Sequence, residues 1–171
     1  MPAIILLIIV LLVAGDQALK FYMLSWLEPQ GKVELIPGFI RLRFVYNDGA
    51  AFSMLRNARW FFVIVTGVLI VACLVALMSR RTKERFPALH SPFLKASLIL
   101  ITAGGLGNLI DRVFRGKVID FIEPTFMNFA VFNFADILVT CGAFMIIGYL
   151  IYDIFFEYNA KRNYVKNGYR R

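Results

Sequence analysis

Residues 104–136 read GGLGNLIDRVFRGKVIDFIEPTFMNFAVFNFAD, and the reading of the chain turns on two aspartates in that stretch. Asp120 stands in Val118-Ile119-Asp120-Phe121-Ile122, with apolar residues on both sides. Asp136 closes Phe132-Asn133-Phe134-Ala135-Asp136 at the mouth of a long apolar run. A carboxylate with so few polar neighbours is costly unless it is paired, hydrogen-bonded or protonated. Two of them so close in the chain suggest one shared site. At the start of the stretch, Gly104, Gly105 and Gly107 would let a neighbouring helix pack closely. Asn108, Asp111 and Arg112 follow at i, i+3 and i+4, which puts them on one helix face. Arg112 is suited to hold a carboxylate bidentately; the plainer alternative is an arginine snorkelling at a membrane edge.

The surroundings of this stretch are those of a membrane protein. Of 171 residues, 60% are hydrophobic, against about 45–50% in a soluble domain, and the mean hydropathy is +0.70. The net charge of +8 would raise nucleic-acid binding in a soluble protein. Here the basic residues cluster between apolar runs, so the positive-inside bias is the simpler cause and no nucleic acid is expected. Cys73 and Cys141 both lie inside apolar runs and read as small core hydrophobes, without a disulfide framework. The single histidine, His90, lies in a basic loop. Neither a zinc site nor a Ser-His or Cys-His pair can be assembled, and no metal or cofactor is expected.

Four spans follow from length and hydropathy. The first covers Pro2 to Leu27. Its purely apolar part, Ala3 to Ala14, would reach only about 18 Å of a roughly 30 Å hydrocarbon core, so the helix must continue through Asp16, Gln17 and Lys20. Asp16 and Lys20, at i and i+4, can face each other. They read either as part of a functional polar cluster or as an ion pair at a helix end. A cleaved signal peptide ending at Val13-Ala14-Gly15 is disfavoured by the missing positive n-region. Trp60 to Met78 is the second span. The third covers about 93–112. The fourth runs from Phe132 to about Phe156, where Asn133 followed by Asp136 has the pattern of a helix N-cap and its N3 acid.

Between the spans lie two polar loops on one side and a basic loop on the other. Glu28 to Arg59 carries turn residues between alternating stretches (Lys32 to Ile36, Phe39 to Val45), which suggests short antiparallel strands. Asn47-Asp48-Gly49 is a turn signal, and the small residues after it allow close backbone approach. Val113 to Val131 reads as a second polar loop. Ser79 to Lys95 is basic, and Pro87 and Pro92 break any helix there. That loop and the tail from Lys161 each hold five Lys or Arg, a density that places both on the cytoplasmic side with both termini. Asp16, Asn47, Asp111, Arg112, Asp120, Asn133 and Asp136 then all fall at or near the outer face.

Two carboxylates at such a level can run acid–base hydrolysis without metal or histidine. One, ionised, takes a proton from water; the other, protonated, polarises a carbonyl and later protonates the leaving amine. The competing possibilities are acids paired structurally with Arg112 and Lys20, a small transporter whose acids line an ion path, and an assembly subunit docking through Asp–Arg pairs. Clustering at one face disfavours the transporter.

Five blocks in order bring the chain to a known family. They are Asp16-Gln17-x-x-Lys20, Asn47-x-Gly49-Ala50-Ala51-Phe52-Ser53, Gly104-Gly105-x-x-Gly107-Asn108-x-x-Asp111-Arg112, Val118-Ile119-Asp120-Phe121 and Phe132-Asn133-x-Ala135-Asp136. With its four spans and two outer loops, the chain resembles the bacterial lipoprotein signal peptidases (signal peptidase II), which are intramembrane aspartic peptidases. The resemblance implies an integral membrane, mainly α fold: four transmembrane helices (about 3–27, 60–78, 93–112 and 133–156) in a single domain, with a small extracytoplasmic β-cradle in the first outer loop. It further implies an endopeptidase of the bacterial inner membrane that cuts prolipoproteins before a diacylglyceryl cysteine and is inhibited by the cyclic peptide globomycin. Membrane lipids are its surroundings, and a monomer is expected. The catalytic residues it implies are Asp120 and Asp136, with Asp16, Lys20, Asn47, Asn108, Arg112 and Asn133 positioning substrate or supporting the site. Asp48 falls where the family varies and adds a negative charge nearby. Of the two acids, Asp136 is expected to be the more readily ionised, because it lies in the first turn of a helix where the dipole favours negative charge. Asp120, among apolar neighbours, is expected to keep the proton.

Overall fold

A computed structural model describes residues 2–49 and 58–168, with side chains described as far as 156 and at 158. Ala50 to Ser53 of the second block, and Arg170 and Arg171 of the tail, lie outside the described residues. In chain order the elements are helix α1 (Pro2–Leu27), strands β1 (Lys32–Ile36) and β2 (Ile40–Asn47), helices α2 (Arg59–Met78), α3 (Arg80–Arg85) and α4 (Pro92–Ile110), strand β3 (Val118–Pro124) and helix α5 (Phe134–Gly168). Four of these helices are long and apolar enough to cross a membrane, as the hydropathy requires: α1, α2, α4 with the turn that continues it, and α5 as far as Phe156.

One of the expected ends moves. The third span does not stop at Arg112 but continues through a π-turn over Asp111–Arg115. Gly116, at φ +79°, ends it in the left-handed region that glycine adopts without a Cβ clash. The fourth span ends at Phe156 as expected, and its helix continues beyond to Gly168, since no proline or glycine interrupts residues 157–167. Between α2 and α4 the prolines act as expected. Ser79 caps α3 by accepting from the Thr82 amide at 3.2 Å. Pro87 opens a 3-10 turn after α3, and Pro92 sits in the first turn of α4, where a missing N–H costs nothing.

Helix α4 is the centre of the bundle. Half of its apolar stretch is buried (50%), against 11–17% for the other three spans, because α1, α2 and α5 all pack on it. Its small residues permit this. A Cβ at Gly104 would overlap the Ala135 carbonyl, and one at Gly142 on α5 would lie 2.7 Å from both Ile101 Cγ1 and the Ser97 carbonyl. The backbones of α4 and α5 therefore meet directly. Ile9, Leu77, Ile99, Ala103 and Leu138 form the core between the helices. The buried hydroxyls of Ser97 and Thr102 donate to their own helix, to the Leu94 carbonyl at 2.8 Å and the Leu98 carbonyl at 2.7 Å.

The sheet corrects the expectation that a cradle would come from the first outer loop alone. Its order is β1-β2-β3, all antiparallel, so the second outer loop supplies the third strand. Val118, Ile119, Asp120 and Phe121 are all buried. Covered on both faces, this strand lacks the apolar–polar alternation that marks the first two. Val45 pairs with Asp120 and Asn47 with Val118, after a register shift between Leu42 and Val45. Leu42, Ile119 and Phe121 pack with Leu27 against the end of α1. The sheet is thus seated on the bundle, and β3 is fixed beside the first turn of α5.

Candidate active site

Asp120 and Asp136 reach the site from two different elements. Asp120 projects from the middle of β3 and is 1% exposed. Asp136 occupies the first turn of α5, and the predicted cap is formed in both directions. The Asp136 amide donates to Asn133 Oδ1 at 3.0 Å, and the Asn133 amide donates to Asp136 Oδ2 at 3.1 Å. This reciprocal pair satisfies two amides that a helix start leaves unbonded. Just before it, the Phe132 carbonyl accepts from both the Phe121 and Ile122 amides, at 3.0 and 2.8 Å. The chain entering α5 is therefore pinned to β3 next to Asp120.

A pair of asparagines links the two acids. Asn133 Nδ2 donates to Asp120 Oδ1 at 2.6 Å and to Asn108 Oδ1 at 3.1 Å, and Asn108 Nδ2 donates to Asp136 Oδ1 at 2.7 Å. Asn47 Nδ2 donates to the other oxygen of Asp120 at 2.8 Å. Asn47 Oδ1 in turn accepts from the Gly49 amide at 3.0 Å, the Asx geometry that the Asn-Asp-Gly signal announced. Burial and the adjacent Asp136 charge push the Asp120 carboxyl up to about 6, against the opposing pull of the Asn47 and Asn133 hydrogen bonds. Desolvation is the larger cause.

Both acids open on one cavity of about 490 Å³. Its polar end carries Asn47, Asn108, Arg112, Asp120 and Asp136; its apolar wall is made by Phe129, Val131, Phe132, Ile137 and Cys141. Arg112 is in the cavity but does not clamp a carboxylate. Its guanidinium lies 5.0 Å from the Phe62 ring centroid and donates to the Gly49 carbonyl at 3.4 Å, and among the described residues it forms no ion pair. The acids are already held by asparagine amides, which leaves the arginine facing the open space.

Behind the cavity lies a buried charge cluster. Lys20 is fully buried; its Nζ lies 2.8 Å from Asp16 Oδ2 and 2.9 Å from Asp111 Oδ2, and it donates to Asn108 Oδ1 at 3.0 Å. Asp16 and Asp111 are also fully buried, so the Asp16–Lys20 pair is not an exposed pair at a helix end. Arg115 bonds to Asp111 Oδ1 and to Gln17 Oε1, and Gln17 Nε2 donates to the Gly107 carbonyl at 3.1 Å. Every residue expected at the site is brought to it: Asn47, Asn108, Arg112 and Asn133 around the acids, Asp16 and Lys20 one layer behind. Asp111 was placed at this level and Gln17 in the polar part of the first span, but their contacts, and any part for Arg115, were not foreseen. The i, i+4 spacing of Asp111 and Arg115 was the available signal.

Comparison with known proteins agrees with this arrangement. Residues 8–152 match the family model described as signal peptidase (SPase) II. The chain is 38% identical over 153 residues to the lipoprotein signal peptidase of Symbiobacterium thermophilum, covering 88% of this chain and 95% of that one. With the lipoprotein signal peptidase of Streptococcus thermophilus it shares 40% over 139 residues, 81% of this chain and 86% of the relative. Among solved structures, a bacterial membrane enzyme obtained by the in meso method superposes with a TM-score of 0.78 at 32% identity, over 89% of this chain and 90% of its own. A second superposes at 0.73, also at 32% identity, over 86% and 92%. The chain belongs to the signal peptidase II family, the lipoprotein signal peptidases.

Proposed function

We propose that Asp120 and Asp136 are the catalytic dyad of a peptidase that removes the signal peptide from diacylglyceryl-modified prolipoproteins, cutting before the lipidated cysteine. The observation that supports this reading best is the shared asparagine bridge, which holds two acids from separate elements on one cavity. Asp136, in the first turn of α5 and accepting from the Asn108 amide and the Asn133 N–H, acts as the base. It takes a proton from water, and the hydroxide forms the new bond to the scissile carbonyl carbon. Asp120, whose proton is retained up to about pH 6 before substrate arrives, donates to the carbonyl oxygen. Apolar substrate that displaces water raises its proton affinity further. When the tetrahedral gem-diol collapses, the C–N bond breaks, the leaving amine takes a proton from the dyad, and a hydroxyl proton of the intermediate returns to it. The proton belongs to the pair through the cycle.

Arg112 faces the same cavity and serves to orient the substrate backbone. The apolar wall from Phe129 to Cys141 receives the signal helix or the acyl chains. The enzyme works as a single domain in the bacterial inner membrane, with both termini cytoplasmic and the dyad at the outer level. Purified protein in detergent, given a diacylglyceryl prolipoprotein, tests the reading. Release of signal peptide that globomycin blocks, and that Asp120→Asn and Asp136→Asn abolish, is the expected result. Near wild-type cleavage by either variant overturns the dyad.

A further inference from the structure

The buried charge cluster behind the cavity has a regularity that the chemistry of the dyad does not require. Asp111 Oδ2 accepts from the backbone amide of Ile119 at 3.3 Å. Asp16 Oδ1 accepts from the backbone amide of Ala135 at 3.0 Å. Ile119 immediately precedes Asp120 in β3, and Ala135 immediately precedes Asp136 in α5. Each buried acid thus holds the peptide group leading into one member of the dyad. Lys20 Nζ lies between the two acids, within 2.8 and 2.9 Å, and its bond to Asn108 Oδ1 ties the same ammonium to the asparagine bridge.

From this geometry we infer that Asp111 and Asp16 are positioning residues of one device centred on Lys20, which fixes the spacing of the two dyad aspartates by clamping the backbone amides of Ile119 and Ala135. The inference rests on the dyad reading above. An acid–base pair sharing a proton needs its carboxyls held to a fraction of an ångström, and a misplacement of about 1 Å costs on the order of a hundredfold in rate. Buried carboxylates suit the task. Both face the buried Lys20 ammonium, and a carboxylate paired with a cation holds an amide more tightly than a neutral acceptor does. Gln17 and Arg115 complete the cluster on the α1–α4 side by occupying the remaining oxygen of Asp111. The substrate reaches none of these side chains through the cavity, whose lining includes neither Asp16, Lys20 nor Asp111.

The test separates positioning from mere stability. Asp111→Leu removes the acceptor; Asp111→Asn keeps an oxygen for the Ile119 amide but sets its NH2 against Arg115 and Gln17 Nε2, so its rescue is partial. Replacing the Ile119 amide by an ester removes the N–H and leaves every charge in place, and serves if Asp111→Leu does not fold. With a diacylglyceryl prolipoprotein in detergent, Asp111→Leu and the ester should lower kcat, the former by about a hundredfold, with KM nearly unchanged. Asp111→Asn should recover part of the loss. An ester variant with wild-type kcat, or a folded Asp111→Leu with wild-type kcat, overturns the inference. Asp120→Asn, measured alongside, tests the underlying reading separately: if it cleaves normally the dyad itself is wrong, whereas if it is dead and the Ile119 ester is fully active, only the clamp is wrong.

Discussion

Replacing Asp120 by asparagine should abolish cleavage and, at neutral pH, make the protein more stable. The native carboxyl holds its proton up to about pH 6, while the same group in an unfolded chain lets go near 3.8. Between those values the native state binds more protons than the unfolded state, so stability falls as pH rises through that window and is level above it. A gap of about two pH units, at roughly 1.36 kcal/mol each, makes the ionised Asp120 cost about 3 kcal/mol at pH 7. Asparagine avoids that cost but has one NH2 where the carboxylate had a second acceptor. Asn47 Nδ2, which donates there at 2.8 Å, loses its partner, at about 1 kcal/mol. It cannot simply turn over, because its Oδ1 is committed to the Gly49 amide. The net gain is about 2 kcal/mol at pH 7.5, or roughly 4–8 °C in Tm for a chain of this size, and it disappears or reverses at pH 4. Thermal unfolding of both proteins in the same detergent at the two pH values measures it. A Tm difference that is the same at pH 4 and pH 7.5 would refute the argument that burial and the Asp136 charge hold Asp120 protonated.

Four further outcomes follow from the same contacts. In the wild-type enzyme, kcat/KM should decline above about pH 6 as the free dyad loses its shared proton, which a pH–rate profile at low substrate will show. Asp136→Asn should abolish cleavage, while Arg112→Leu should only reduce kcat, by less than about a hundredfold, since Arg112 touches the cavity but neither acid; single-turnover assays of the two rank them. Asn133→Ala removes the side-chain cap of α5 and the two bonds that Asn133 donates to the asparagine bridge, and should cost about 1–2 kcal/mol in unfolding along with most of the activity. Gly104→Ala should destabilise by about 1–3 kcal/mol because its Cβ meets the Ala135 carbonyl. Gly15→Ala, with open space around it, should be neutral or stabilising by comparison in the same melting experiment.

Hydropathy alone located the four spans, and period-2 alternation located β1 and β2. The third strand escaped because a strand buried on both faces has no alternation to detect, and its single polar residue reads as an oddity in an apolar run. The cap at Asn133 was legible because it is local: the donor, the acceptor and their three-residue spacing all lie in one turn. The bridge from Asn133 to Asn108 and the amide contacts of Asp16 and Asp111 were not, since they join residues 25, 119 and 8 positions apart, and no spacing rule covers such distances. Arg112 was given its place correctly, while its partner was left open between a carboxylate and the membrane edge. Sequence put a cation beside two acids, and only three-dimensional packing reveals that asparagines reached the acids first.

The placement of the buried charges bears on how the chain enters a membrane. Asp16 and Lys20 are one turn apart on α1, and Asp111 and Arg115 one turn apart at the end of the third span. A lone Asp or Lys at the centre of a helix raises the cost of leaving the translocon by about 2.5–3.5 kcal/mol. The first span instead carries a counter-ion for Asp16, and the third carries Arg112 and Arg115 beside Asp111, so neither acid enters lipid unaccompanied. Only after both are in place does Lys20 gain a second carboxylate from Asp111. The polar contacts that join the first and third spans thus link segments whose acids each have a cation within one turn. A chain in which Lys20 was made neutral would send Asp16 into the bilayer without its counter-ion, a cost met before any question of catalysis arose.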